Sequence, residues 1–95
     1  MVYIDKVHYV TDEHGCEVIG NVKWTNSFYE WATKECTKQE MINFINKDSA
    51  NKVKTKFYRN NSWIEGADVR VVDNRYLRTD ANNTKADNLE NLPRY

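Results

Sequence analysis

The sequence predicts a small α+β domain: a four- or five-stranded, mostly antiparallel sheet with one helix packed on one face, in the order ββαβββ. Three observations carry this expectation. Apolar and polar residues alternate at the two-residue period of half-buried strands, most clearly over 52–58. One run at helical spacing, Met41, Ile42, Phe44 and Ile45, follows a capping sequence. Turn-forming residues separate the remaining runs at 11–15, 60–62 and 73–74.

Val2 to Val10 reads as the first strand, with Tyr3, Val7 and Tyr9 on one side and Ile4, Lys6, His8 and Val10 on the other. Thr11 to Gly15 turns the chain, Gly15 being free to take positive φ. Glu17 to Trp24 returns as the second strand of a hairpin, with Val18, Gly20, Val22 and Trp24 on one face and Ile19, Asn21 and Lys23 on the other. Thr25 to Cys36 holds Phe28, Tyr29 and Trp31 among polar residues and reads as a loop or an irregular third strand. Thr37-Lys38-Gln39-Glu40 is a capping box: the Thr hydroxyl accepts from the N3 amide and the Glu carboxylate from the cap amide. It opens a helix over 38–47 that ends near Asp48-Ser49. A helix this short does not stand alone in water, so it packs on the sheet. Lys52 to Tyr58 is a strand with Val53, Thr55 and Phe57 on one face and Lys52, Lys54, Lys56 and Tyr58 on the other. Asn60-Asn61-Ser62 turns, Trp63-Ile64 begins or covers the next strand, and Ala67–Val72 pairs with 76–79 across Asp73-Asn74.

The end of the chain has a signature of its own. GADVRVV (66–72), YLRTDANNT (76–84) and DNLENLP (87–93) follow in that order, with VKTKFY (53–58) before them. This arrangement resembles a family of small bacterial and phage proteins described only as a domain of unknown function. The resemblance covers roughly residues 51–95. It implies one compact domain in a bacterium, a phage or a mobile element, and it brings no activity and no catalytic residue. Spaced anchors at Leu89, Leu92, Pro93 and Tyr95 predict that the tail, 86–95, lies on its own domain or on a partner.

Composition narrows the function classes. Ninety-five residues make one domain, 1–95. Fourteen basic residues balance fourteen acidic ones, which argues against strong nonspecific DNA binding and equally against an acidic DNA mimic. The charge is uneven: Lys47, Lys52, Lys54, Lys56 and Arg59 face Asp48 alone over 47–59. No apolar run approaches the ~20 residues of a membrane helix. The N-terminal MVYIDKVHY carries charge where a signal peptide is apolar. The expectation is a cytoplasmic protein with no membrane partner, in which Cys16 and Cys36 are free thiols.

Reaction centres are not visible. His8, His14 and Cys16 fall short of the ligand set that zinc takes. A calcium loop counted from Asp80 through Asn82, Asn83 and Asp87 has Lys85 and Asn91 where Gly and Glu are needed. No GxSxG is present, and the glycines at 15, 20 and 66 stand apart, so no phosphate loop forms. No metal and no cofactor are therefore expected, and a small hydrolase built on His8 or His14 is the least supported reading.

The leading expectation is a non-enzymatic module for an anionic ligand, a nucleotide or a stretch of nucleic acid, sequestering a host signal. Lys54 and Lys56 beside Tyr58, with Arg70 and Arg78 on neighbouring strands, would supply charge and stacking. The competing reading of the same strip is a solvated sheet face or a charged edge that blocks aggregation. The alternative function is a protein-interaction module or inhibitor acting through Phe28, Tyr29, Trp31, Trp63 and the tail, since Trp is enriched where partners meet. The sheet face away from the helix is expected to be covered by the tail or by a second subunit, as in a homodimer.

Overall fold

The computed structural model describes residues 1–79 and 89–95. Asp80, Asn82, Asn83 and Asp87, read above against a calcium loop, and the first positions of the tail 86–95 lie outside the described residues. Strands β1 (Val2–Thr11), β2 (Glu17–Thr25) and β3 (Lys34–Thr37) precede helix α1 (Lys38–Lys47), and β4 (Val53–Arg59), β5 (Ser62–Val72) and β6 (Tyr76–Thr79) follow it. A short 3₁₀ turn covers Leu89–Asn91. The fold is thus α+β with one helix, but the sheet has six strands, in the order β3-β2-β1-β4-β5-β6. It is mixed rather than antiparallel, because β4 runs parallel to β1.

The extra strand and the parallel pairing share a cause. Within 25–36, residues 26–33 form an irregular segment and Lys34–Thr37 pairs with Asn21–Trp24 as β3. β3 runs parallel to β1, and α1 carries the chain back across the sheet, so β4 enters in that same direction. Such a return needs a crossover, and the helix is that crossover. Its start is as the sequence reads: Thr37 Oγ1 accepts from Glu40 N–H at 3.1 Å, and Glu40 Oε1 accepts from Thr37 N–H at 3.0 Å. At the far end Asn51 Nδ2 donates to Phe44 O at 2.8 Å, using a carbonyl the helix leaves open.

Bulges reassign two faces. Ile4 pairs with Trp24, but Lys6 pairs with Lys23, so Asp5 is an extra residue in β1. Ile4 and Val7 consequently both face the helix and are fully buried, while Tyr3 faces away with Lys54, its partner in β4. The alternation read from Val2 to Val10, which grouped Tyr3 with Val7 and Ile4 with Lys6, breaks at that residue. In β2 the extra residue is Gly20, which brings Ile19 round to the core side. A Cβ on Gly20 would lie 2.8 Å from both Val10 methyls, so the bulge needs glycine there.

The turns follow local chemistry. Asp12 Oδ1 accepts from His14 N–H (2.9 Å) and Cys16 N–H (2.8 Å), and Gly15 takes φ 80°. Asn60 and Asn61, both at positive φ, make the two-residue connection from β4 to β5. Trp63 and Ile64 belong to β5 itself, which runs unbroken from Ser62 past a bulge opposite Thr55.

The sheet curls round α1, which touches β2 and β3 on one flank and β5 and β6 on the other. Val2, Ile4, Val7, Val22, Met41, Ile42, Val53 and Val69 form the core between them. Leu89 and Leu92 join it from the tail. β4 pairs with β1 only as far as Ile4. Beyond that point Val7 bonds the tail instead, donating to Pro93 O at 3.0 Å and accepting from Tyr95 N–H at 3.1 Å.

The helix start gives a direct test. Thr37→Ala removes one half of the capping box and is expected to cost about 1 kcal/mol. Thermal unfolding should show the midpoint falling by roughly 4–8 °C, as for a domain of this size.

Candidate functional site

The face of the sheet turned away from α1 is where the sequence-predicted residues meet. On β4, Lys54, Lys56 and Tyr58 do share that face, through strict alternation from Val53. They are not an outward basic strip, however. Residues 26–33 roof Lys56, which is fully buried. Its Nζ donates to Ser27 O (2.9 Å), to Phe28 O (3.2 Å) and to Glu30 O, and lies 3.9 Å from Asp5 Oδ2. Its remaining side rests over the Trp63 ring, 3.9 Å from the centroid. The cover for this face thus comes from the same chain, between β2 and β3.

Asp5 is the other half of the pair. It is also fully buried: alternation from Ile4 puts its side chain on this face with that of Tyr3, and its carboxylate meets the Ala32 amide there. Oδ2 accepts from Ala32 N–H at 2.7 Å, and Oδ1 has no partner. Burial pushes the Asp5 carboxyl up from its ordinary 3.8, opposed by the Ala32 bond and by the Lys56 charge. Burial pushes Lys56 down from 10.5, opposed by Asp5 and Glu30. Three carbonyls around Nζ require three N–H donors, which holds the amine in its charged form near neutrality.

The roof carries the aromatic residues. Trp31 meets Trp63 edge-on with centroids 4.6 Å apart, and Tyr58 stands 5.1 Å from Trp63 and 6.0 Å from Trp31. Lys6 Nζ lies 4.4 Å over Trp31. Phe28 packs on Tyr3 at 5.3 Å and holds Tyr29 against its edge at 5.1 Å. Yet the rings stay accessible: Tyr29 is 80% exposed, Trp31 45% and Tyr58 47%. Trp31 and Trp63, assigned from sequence to an interaction surface, thus come together with Tyr58, assigned to ligand binding, while Phe28 and Tyr29 form a second ring group with Tyr3.

The other cations go elsewhere. Lys54 reaches Glu65 at 3.3 Å and Asp68 at 3.5 Å, and its pKa is raised chiefly by the Glu65 hydrogen bond. Lys54 and Arg70 share a groove of about 570 Å³ with Lys52, Asn51 and Asp68. Arg70 stands opposite Arg78 across β5 and β6. Arg78 lies 5.9 Å from the Tyr76 ring, in a different groove that also holds Lys38 and Glu90. His8 Nδ1 bonds the Tyr95 carbonyl oxygen, whereas His14 sits 3.5 Å from Glu13 in the exposed turn. Cys16 is exposed and Cys36 half-buried, both as free thiols.

Sequence reasoning missed Asp5 and the burial of Lys56. The available signal was an acid directly after the apolar strand opening Val2-Tyr3-Ile4, with a lysine at a position sharing its face.

The family model for proteins of unknown function (DUF3892) covers residues 4–93. The chain belongs to the DUF3892 family. No curated protein and no solved structure matches it. The DUF3892 match begins in β1, so it takes in Asp5 and Lys56 as well as the C-terminal run. No helix among the described residues of this DUF3892 protein is long and apolar enough to cross a membrane.

The pair sets a stability test. Lys56→Met leaves a buried carboxylate without its cation and is expected to cost about 3–5 kcal/mol, while Asp5→Leu/Lys56→Met recovers most of the loss. The pH dependence has a definite sign. Folding raises the Asp5 pKa, so the stability tied to its proton is complete below 3.8 and is lost as pH rises through the folded-state value. Folding lowers the Lys56 pKa, so its contribution is complete above 10.5 and is lost as pH falls through the folded value. The Lys56→Met penalty should therefore shrink as pH falls toward 3.8, where a protonated Asp5 needs no counter-ion. A penalty in urea unfolding that stays constant with pH would show that Asp5 is not the ionised partner. A second test concerns the thiols. Burial, with Glu40 and Glu35 nearby, pushes Cys36 up to about 11. An aromatic disulfide reagent is expected to modify exposed Cys16 well before Cys36.

Proposed function

We propose that this protein is a non-enzymatic interaction module whose contact surface is the aromatic face formed by Trp31 and Tyr58 over Trp63, with exposed Tyr29 on the same covering segment, and whose partner is a protein. The observation that carries this reading is the accessibility of a mutually packed ring cluster: Trp31 and Tyr58 leave nearly half their surface to solvent while touching a common Trp63. Rings fixed in this way present apolar area with little rotamer entropy left to lose, the property that makes Trp and Tyr anchors at protein interfaces. Lys56 cannot serve an incoming anion from its position, because three backbone carbonyls and Asp5 already surround it.

An anionic ligand, a nucleotide or nucleic acid, is the second reading. It is favoured by the groove in which Lys52, Lys54 and Arg70 meet. Asp68 in that groove and Glu65 beside it offset part of the charge, which places this reading behind the first.

One binding experiment separates them. The tagged protein is used to recover its partner from the source cells, and affinity is compared for the wild type, Trp31→Ala and Lys54→Glu. The expected result is a protein partner whose affinity falls on the order of 30-fold with Trp31→Ala, the loss of a central aromatic anchor. Lys54→Glu should leave it nearly unchanged, and salt should have little effect. Binding indifferent to Trp31→Ala, abolished by Lys54→Glu and steeply weakened by salt would overturn this in favour of the anionic ligand.

A further inference from the structure

We infer that Asp5 and Lys56 are positioning residues of the partner surface: they act on it through residues 26–33, which they latch to the sheet as a unit. The inference rests on the aromatic-surface reading and adds what builds that surface. Among the described residues, the polar ties of 26–33 converge on these two side chains. Lys56 holds the carbonyls of Ser27, Phe28 and Glu30 near the start of the segment. Asp5 holds the Ala32 amide near its end. The remaining bonds lie at its first two residues: Ser27 N–H to Thr25 Oγ1 at 3.1 Å is local, and Asn26 Nδ2 reaches Met1 O at 3.3 Å at the edge of the segment.

Between the two fastenings lie Tyr29 and Trp31, whose own backbones are free of the ladder. Lys56 also touches the surface directly, lying over the ring of Trp63, which Trp31 meets edge-on. None of the core residues shared with α1 takes part. The latch and the helix-side core are therefore separate structures on opposite faces of one sheet. Local opening follows such divisions, since a segment held by few contacts opens at a lower free energy than the core.

The distinguishing experiment uses the double variant Asp5→Leu/Lys56→Met, which removes both charges together and so avoids an unpaired buried ion. Amide hydrogen exchange is followed residue by residue, with tryptophan emission recorded alongside. The expected result is loss of protection at Ala32 by about 100-fold or more, with red-shifted emission from Trp31 and Trp63, while amides of Met41 to Ile45 keep wild-type protection. Lys56→Arg, which retains charge and donors, should restore protection at Ala32 relative to Lys56→Met. Unchanged protection at Ala32 in the double variant would overturn the inference. So would equal loss of protection in the segment and the helix, because the pair would then be general structural support. Partner affinity measured on the same protein tests the other claim separately: a segment that opens while affinity stays intact keeps the latch and refutes the aromatic surface.

Discussion

The architecture of this domain turns on one buried pair of opposite charges at the join between two parallel strands. Moving a carboxylate and an ammonium out of water costs several kcal/mol each, and their attraction offsets this only if hydrogen bonds satisfy the atoms that remain. The sheet alone cannot supply those bonds, because its amides and carbonyls are used in the ladders. Residues 26–33 supply them by staying irregular. A regular strand would place successive carbonyls on alternate sides, and three of them could not converge on one nitrogen. The irregularity that makes this stretch hard to assign from sequence is therefore what lets the lysine be buried.

Sequence legibility divides by the range of the interaction. The capping box at Thr37, the paired asparagines at 60–61 and the alternation along β4 rest on neighbours a few residues apart, and they are visible in the chain. The parallel pairing of Val2–Ile4 with Val53–Thr55 joins residues half the chain apart, and no local pattern announces it. Lys54, Lys56 and Tyr58 show the limit most clearly. Alternation says correctly that they share a side, but a period of two carries no information about what lies over that side. Lys56 looks like its neighbours Lys54 and Lys52 in the sequence, and differs only through Asp5 and a segment far from it in the chain. The family to which the chain belongs does not close this gap, since its members are described without a function.

The bulges connect the core to the site. An extra residue bends its strand and increases the local twist. Asp5 in β1 and Gly20 in β2, with the third bulge opposite Thr55, act on adjoining strand pairs, and together they curl the sheet round α1. At that third bulge Thr55 Oγ1 accepts from Ala67 N–H at 3.0 Å, which occupies an amide displaced from the ladder. Curling also separates β4 from the outer half of β1. Pro93 to Tyr95 enters the opening, bonding both the amide and the carbonyl of Val7, and Tyr95 Oη reaches across to Glu35 at 2.6 Å. The bulge at Asp5 is thus what lets Ile4 and Val7 both seal the helix-side core while Asp5 between them stays on the aromatic face.

Donor counting explains why a lysine suits position 56. An ammonium group carries three N–H donors on a tetrahedral nitrogen, and Ser27, Phe28 and Glu30 offer three carbonyls. The planar fork of arginine keeps the charge and the donors but spreads them over three nitrogens, so it matches carbonyls grouped round one atom less closely. At 3.9 Å, Asp5 contributes charge rather than a hydrogen bond, and its own bond goes to Ala32. Each member of the pair spends its directional bonding on the segment above it and only its charge on the other. An apolar pair of similar volume could fill the same space under the sheet, but it would offer nothing to those four backbone groups. The ion pair is therefore better understood as a fastening for the aromatic roof than as a source of net stability, and the roof's exposed rings are the part of the molecule whose position it decides.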